Sequence, residues 1–262
     1  MNMRKSRVLT KLRAGEVVSC FNVHFDPQAS EIAALAGFDC LWIDTEHMAK
    51  DWSVVQSHVW AAKGYDVDVM VRVPRGSYSD YIKPLELDAA GIMVPHIMGL
   101  EDARHVVHWT RFHPVGRRPL DGGNADGAYA QMPYSDYMPQ ANDQRFVVLQ
   151  IEDPEPLDEL DAIAALDGID MLFFGPADFS QGIGAPGQWD HPKLQEARRR
   201  VAEVDVRHGK FAGAPASLDT MDEMVALGYR FLALGADVLG VGNYCNRLIN
   251  GFTAKLKNQN GG

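Results

Sequence analysis

The stretch DCLWIDTEH, Asp39 to His47, runs through apolar residues and stops on two carboxylates, a hydroxyl and an imidazole. A short unbroken apolar run reads as a strand buried on both faces, the pattern of a parallel sheet. Seven further runs of this kind lie along the chain, one before it and six after: 17–23 VVSCFNV, 67–73 VDVMVRV, 91–95 GIMVP, 146–151 FVVLQI, 169–174 IDMLFF, 210–215 KFAGAP and 230–234 RFLAL. Between them, segments such as 53–63, 100–110, 190–208 and 218–227 carry apolar residues at helical spacing. Eight β-α units in 262 residues predict an α/β fold, a single-domain (β/α)8 TIM barrel spanning 1–262, in preference to a doubly wound sheet. The stretch 112–145, rich in Gly and Pro, is expected to be a loop over the barrel mouth, and the tail 257–262 to be frayed.

In such barrels active sites form at the carboxyl ends of the strands, so the polar residues that close each apolar run are the candidates for chemistry. Strand two closes on Asp44 and His47, strand three on Arg72, strand four on Pro95 and His96, strand five on Gln150, Glu152 and Asp153, and strand six on GPADFS with Asp178. Taken singly, each has a plainer reading. A carboxylate at a strand end caps a helix or forms a surface ion pair, a histidine is hydrogen-bonded structure, and a buried arginine has an acidic partner. Only a catalytic reading puts all of them at one end of the barrel. Glu152 and Asp178 would make a thin oxygen site that leaves most octahedral positions for water and substrate, which suits Mg²⁺ or Mn²⁺. A cation held so openly can chelate a 2-oxo acid and stabilise the enolate formed from it.

The runs GFDCLWIDTEHMAKD, VRVPRGS, IMVPHI, VVLQIE and GIDMLFFGPADFSQGIG, in this order, resemble the HpcH/HpaI aldolase family, the metal-dependent class II pyruvate aldolases. The resemblance covers nearly the whole chain, from about Leu12 to Leu256. It implies that Glu152 and Asp178 bind a divalent metal (Mg²⁺, Mn²⁺ or Co²⁺) and that Arg72 contacts the oxygens of the keto acid. Backbone N–H groups near Ala177 and Asp178 would receive the substrate carboxylate, and Gln150 would support the metal ligands. His47 would be the base, assisted by Asp44. An acidic residue from a neighbouring subunit would orient that histidine, a role that falls on Glu86, with Asp88 nearby. The implied reaction is reversible aldol cleavage of a 4-hydroxy-2-oxo acid to pyruvate and an aldehyde. The resemblance also implies a homohexamer, a trimer of dimers that exchange their last helix, for which ADVLGVGNYCNRLINGFTAKLK supplies an amphipathic segment; packing on its own barrel is the simpler arrangement.

The aldehyde would meet the ends of strands one, four and seven, at Phe21, His24, His96 and Pro215. Better-known members carry Gly-x-Arg-Gly where this chain has GRRPLDGGNADGAYA, so Arg117 and Arg118 either contact a distal carboxylate or form a solvated pair. A Schiff-base aldolase needs a lysine deep at a strand end, whereas Lys83 and Lys193 fall in helical segments and Lys210 starts strand seven. Gly182–Gly187, GIGAPG, has Pro186 where a nucleotide-binding helix should begin, so no NAD site is expected. His105 and His108 line a helix face without a ligand cluster, and Trp42 with MLFF reads as core.

The formal charge of −10 disfavours nucleic acid and anionic lipid as partners and leaves small molecules. Three scattered cysteines, Cys20, Cys40 and Cys245, argue against a disulfide framework and fit a reducing cytoplasm; neither a signal peptide nor a membrane span is expected. Two other enzymatic readings remain open. Related barrels cleave acyl-CoA thioesters such as malyl-CoA, and oxaloacetate decarboxylation passes through the same enolate. A non-enzymatic barrel that only binds an oxo acid is the third alternative.

Overall fold

In the computed structural model, which describes residues 2–259, eight parallel strands close into one barrel in sequence order. They are β1 (Val18–Val23), β2 (Cys40–Asp44), β3 (Asp68–Arg72), β4 (Gly91–Val94), β5 (Phe146–Ile151), β6 (Met171–Phe174), β7 (Phe211–Pro215) and β8 (Tyr229–Ala236). The seam is β8 against β1, with Val18 opposite Phe231. Each strand lies within about two residues of its apolar run. The reason is that a strand covered on both faces admits few polar residues, so hydropathy alone marks it.

Side chains alternate along each strand between the barrel interior and the helical layer. Cys20, Trp42, Met70, Met93, Val148 and Phe173 point inward and pack on one another. Val23, Ile43, Val71, Val94, Leu149 and Leu172 point outward against the helices. The first helix, α1 (Arg7–Arg13), sends Val8, Leu9 and Leu12 into the interior cluster and so plugs the amino-terminal end of the barrel. Its anchors are Asp68, which accepts from the Ser6 hydroxyl at 2.6 Å and the Val8 N–H at 2.9 Å, and Asp39, which pairs with Arg7 and Lys11.

Around the barrel lie α2 (Pro27–Leu35), α3 (Trp52–Lys63), α4 (Tyr78–Glu86), α5 (Leu100–Thr110), α6 (Tyr134–Gln144), α7 (Leu160–Ala164), α8 (Pro176–Gly182), α9 (Pro192–Arg207), α10 (Met221–Leu227) and α11 (Asp237–Gln259). In α11 every residue from Leu239 to Lys257 is exposed. The expectation of a frayed tail at 257–262 falls partly outside the described residues, since α11 runs to Gln259 and residues 260–262 are not described.

The segment 112–145 departs from expectation in two ways. Its second part is α6, whose Tyr137 and Ala141, four residues apart, are buried against Phe112, Met132 and Met3. Its first part does not cover the mouth of its own barrel. Because α5 runs back from the carboxyl end of β4, everything between α5 and the start of β5 lies at the opposite, amino-terminal end. Buried ion pairs fasten it there. Asp126 accepts from Arg118 at 2.8 Å and from Arg145 at 2.7 Å, and Arg145 also reaches Asp88, just before β4. Arg118 is therefore an internal partner and not a solvated one, while Arg117 is exposed.

Candidate active site

Alternation carries Asp44, Arg72 and Gln150 to the inner rim at the carboxyl ends of β2, β3 and β5. Asp44 and Arg72 face each other in the β2–β3 register and form a forked pair, Nε to Oδ1 at 3.1 Å and Nη2 to Oδ2 at 2.6 Å. Burial works to raise the Asp44 carboxyl, but the guanidinium outweighs it and holds Asp44 below the usual carboxylate range. The guanidinium also lies over the Trp42 ring, 4.9 Å from its centroid, and its Nε is 3.2 Å from Glu46 Oε2. Trp42 is core, as expected, and it is also the floor on which the arginine rests.

Glu152 follows β5 and is 1% exposed. Its Oε1 accepts the His96 N–H at 3.0 Å, and its Oε2 accepts from the Gln150 amide. Burial pushes this carboxyl up to about 7; the His96 N–H and ring pull it down, and the charge of Asp178 adds to the rise. Room for Glu152 depends on Gly175, the residue after β6. A Cβ there would lie 2.6 Å from Glu152 Oε2 and 2.9 Å from Gln150 Nε2. Asp178 projects from the first turn of α8, whose leading N–H groups at Ala177 and Asp178 have no partner in the preceding turn. One donor atom each from His96, Glu152 and Asp178 lie within 4.8 Å of one another.

Not every candidate joins this group. His47 stands at the rim with its side chain 60% exposed; its nearest carboxylate is Glu46, with Nε2 to Oε2 at 3.6 Å. Asp44 does not support that ring, because both its oxygens are taken by Arg72 and it meets only the His47 backbone N–H, at 3.4 Å. Phe21 has the wrong parity. It faces outward and packs on Phe38, ring centroids 4.9 Å apart, so it cannot meet an aldehyde inside the mouth. Pro215 has the right parity and is exposed at the end of β7. Glu86 ends α4 at the amino-terminal end of the barrel, remote from the mouth of its own chain. Asp88 beside it is occupied by Lys63 and Arg145, which leaves Glu86 as the unengaged carboxylate of the two.

Three residues, Asn22, Glu46 and Lys50, have no role in the sequence reading of the site, and a fourth, Asp153, stands there at the end of strand five without a partner. Asn22 is the inward residue nearest the mouth on β1, and its Oδ1 is buried without a partner; counting by twos from Val18 and Cys20 finds it. Glu46 turns back toward Arg72, which no spacing rule reveals. Asp153 accepts from His96 Nδ1 at 2.9 Å. Lys50, not weighed among the lysines, donates to the carbonyl of His24 at 2.6 Å; His24 itself is tied to Asp237 at the start of α11.

Residues 18–243 match the model of the HpcH/HpaI aldolase/citrate lyase family. The chain belongs to this family. It is 33% identical to a 5-keto-4-deoxy-D-glucarate aldolase of Enterobacter sp. (strain 638), over 88% of this chain and 90% of the relative. It is 35% identical to a 2-keto-3-deoxy-L-rhamnonate aldolase of Klebsiella pneumoniae, over 80% and 79%. Among solved structures, an HpcH/HpaI aldolase from Desulfitobacterium hafniense superposes with a TM-score of 0.88 at 28% identity, covering 94% of this chain and 96% of that one. The HpcH/HpaI chain described here is an aldolase, a lyase that cleaves a carbon–carbon bond.

Proposed function

We propose that the chain catalyses reversible, metal-dependent cleavage of a 4-hydroxy-2-oxo acid of the sugar-acid type to pyruvate and a hydroxylated aldehyde. One observation carries the reading: a forked arginine and a cluster of metal-type donors share a single barrel mouth. The donor set fits a divalent cation, because Glu152 is buried beside a second carboxylate and an added positive charge would relieve both. Mg²⁺, Mn²⁺ or Co²⁺ held by Glu152 and Asp178 would supply Lewis acidity to the keto oxygen of the substrate. Arg72, fixed by Asp44 and Trp42, would bind the keto-acid oxygens, and the N–H groups of Ala177 and Asp178 would receive the substrate carboxylate. Gln150 keeps Glu152 oriented. His47 takes the proton of the 4-hydroxyl as the C3–C4 bond breaks, and the enolate of pyruvate is then protonated at carbon.

The same reading extends to assembly. A homohexamer in which dimers exchange α11 is supported by the exposed Leu239, Val241, Tyr244, Leu248, Ile249 and Phe252 along that helix. A groove of about 540 Å³, lined by Phe21, Phe25, Ile32 and Phe38, lies beside its first turns. In such an assembly Glu86 acts on a neighbouring mouth, where it orients His47. A cytoplasmic location is supported by free Cys20, Cys40 and Cys245; no described helix is long and apolar enough to cross a membrane.

The deciding experiment follows exchange of the pyruvate methyl protons in D2O by NMR, with metal-stripped protein and after adding Mn²⁺ or Mg²⁺. Exchange should require the metal and disappear in Glu152→Gln and Asp178→Asn. Folded protein that fails to exchange with any of the metals would overturn the reading.

A further inference from the structure

His96 is the least explained residue at the mouth. Its backbone is left-handed, φ 51°, a conformation uncommon outside glycine and found where a site over-determines the chain. Its N–H is bonded to Glu152, and its Nδ1 lies 2.9 Å from Asp153 Oδ2. A carboxylate only accepts, so Nδ1 carries a proton, and the lone pair offered to a cation is the one on Nε2 once the ring is neutral. That nitrogen has no hydrogen bond; Glu46 Oε1, 3.8 Å away, is too far. A carboxylate on one ring nitrogen and a free lone pair on the other is the arrangement that orients histidine ligands to metals. One ring nitrogen of His96 lies within 4.8 Å of donor oxygens of Glu152 and Asp178, and Nδ1 is 3.8 Å from Glu152 Oε1, so the imidazole shares the space of the two carboxylates.

We propose that His96 is a third protein ligand to the divalent cation, with Asp153 fixing its tautomer, so that this chain holds its metal by one imidazole and two carboxylates. The inference rests on the metal-dependent reading above. Three protein donors leave three of about six octahedral positions, two for a chelating 2-oxo acid and one for water. An imidazole shifts preference from Mg²⁺ toward Mn²⁺ and Co²⁺.

The test is pulsed EPR of the protein loaded with Mn²⁺, which reads nitrogen bonded to the metal directly. Wild type should show ¹⁴N modulation from one imidazole. His96→Gly, which suits the left-handed backbone, should lose the modulation while still binding one Mn²⁺ about 10- to 100-fold more weakly. Its Mg²⁺ affinity should fall less, narrowing the gap between the two metals. Should His96→Gly fail to fold, His96→Asn, which also tolerates positive φ, serves the same reading. Wild type that binds Mn²⁺ without ¹⁴N modulation overturns the ligand assignment alone. Modulation that persists in His96→Gly and vanishes in His47→Ala overturns it in favour of the rim histidine. Absence of any Mn²⁺ binding by folded wild type sinks the metal-dependent reading with it.

Discussion

At Glu152 two demands meet: a cation needs the carboxylate charged, and burial disfavours that charge. With its carboxyl pushed up to about 7, the metal-free protein carries a proton there over much of the neutral range. Metal binding at pH 7 should therefore release about half a proton from Glu152, and more nearly one near pH 6, with a further contribution from His96 if it is a ligand, since against the pull of burial its carboxylate neighbours hold that ring above the usual histidine range. Calorimetry in buffers of different ionisation enthalpy reads this number; a binding enthalpy independent of buffer would refute it. Arg72 poses a different constraint. Its fork spans both oxygens of Asp44 while its face rests on Trp42, and lysine offers neither a fork nor a plane. Arg72→Lys should lower the rate of pyruvate exchange by about 100-fold, near the loss from a missing transition-state donor, with the fold intact by circular dichroism.

Between α2 and α3, Ser30 and His58 form a wholly buried pair, Oγ to Nδ1 at 2.7 Å, and His58 Nε2 has no partner. Burial lowers this histidine to about 4, aided by the charge of Lys50. A histidine depressed on folding contributes stability that is present above its unfolded pKa near 6.5 and lost as pH falls toward 4. Wild type should lose on the order of 2 to 3 kcal/mol through this group between pH 6.5 and 4. His58→Gln should lack that component, and parallel denaturation profiles for the two proteins would count against it. On the opposite end of the barrel, Arg145 is wholly buried between Asp126 and Asp88. Arg145→Met leaves both carboxylates short of a partner and should cost about 3 to 5 kcal/mol in denaturant unfolding. This network also explains why the 112–145 segment was misplaced by sequence. Its Gly and Pro content marks irregular chain wherever it lies, and ion pairs between residues as distant as Asp88 and Arg145 leave no local trace.

At the scale of the molecule, α11 displays an apolar face along its length that its own barrel does not cover. If copies exchange this helix, Leu248→Asp with Phe252→Asp should convert the assembly to smaller species in light scattering. Pyruvate exchange should fall with it if, as proposed, Glu86 acts on the mouth of another copy. An unchanged mass would show that α11 is not the contact. The eight strands, their order and the end of the barrel where polar residues gather were legible in the sequence, since each depends on local hydropathy and on the residue that closes each run. Arg72, Glu152 and Asp178 were likewise legible as polar residues at or just after strand ends on one side of the barrel. Side-chain parity, by contrast, removed Phe21 from the mouth and put Asn22 in its place, and the pairing of Asp44 with Arg72 took it from His47. The gathering of His96 and Asp153 around Glu152 also came only with the closed barrel. A strand end can be read from neighbours in the chain, whereas which atom meets which is set when residues from six different strand ends are brought to one rim.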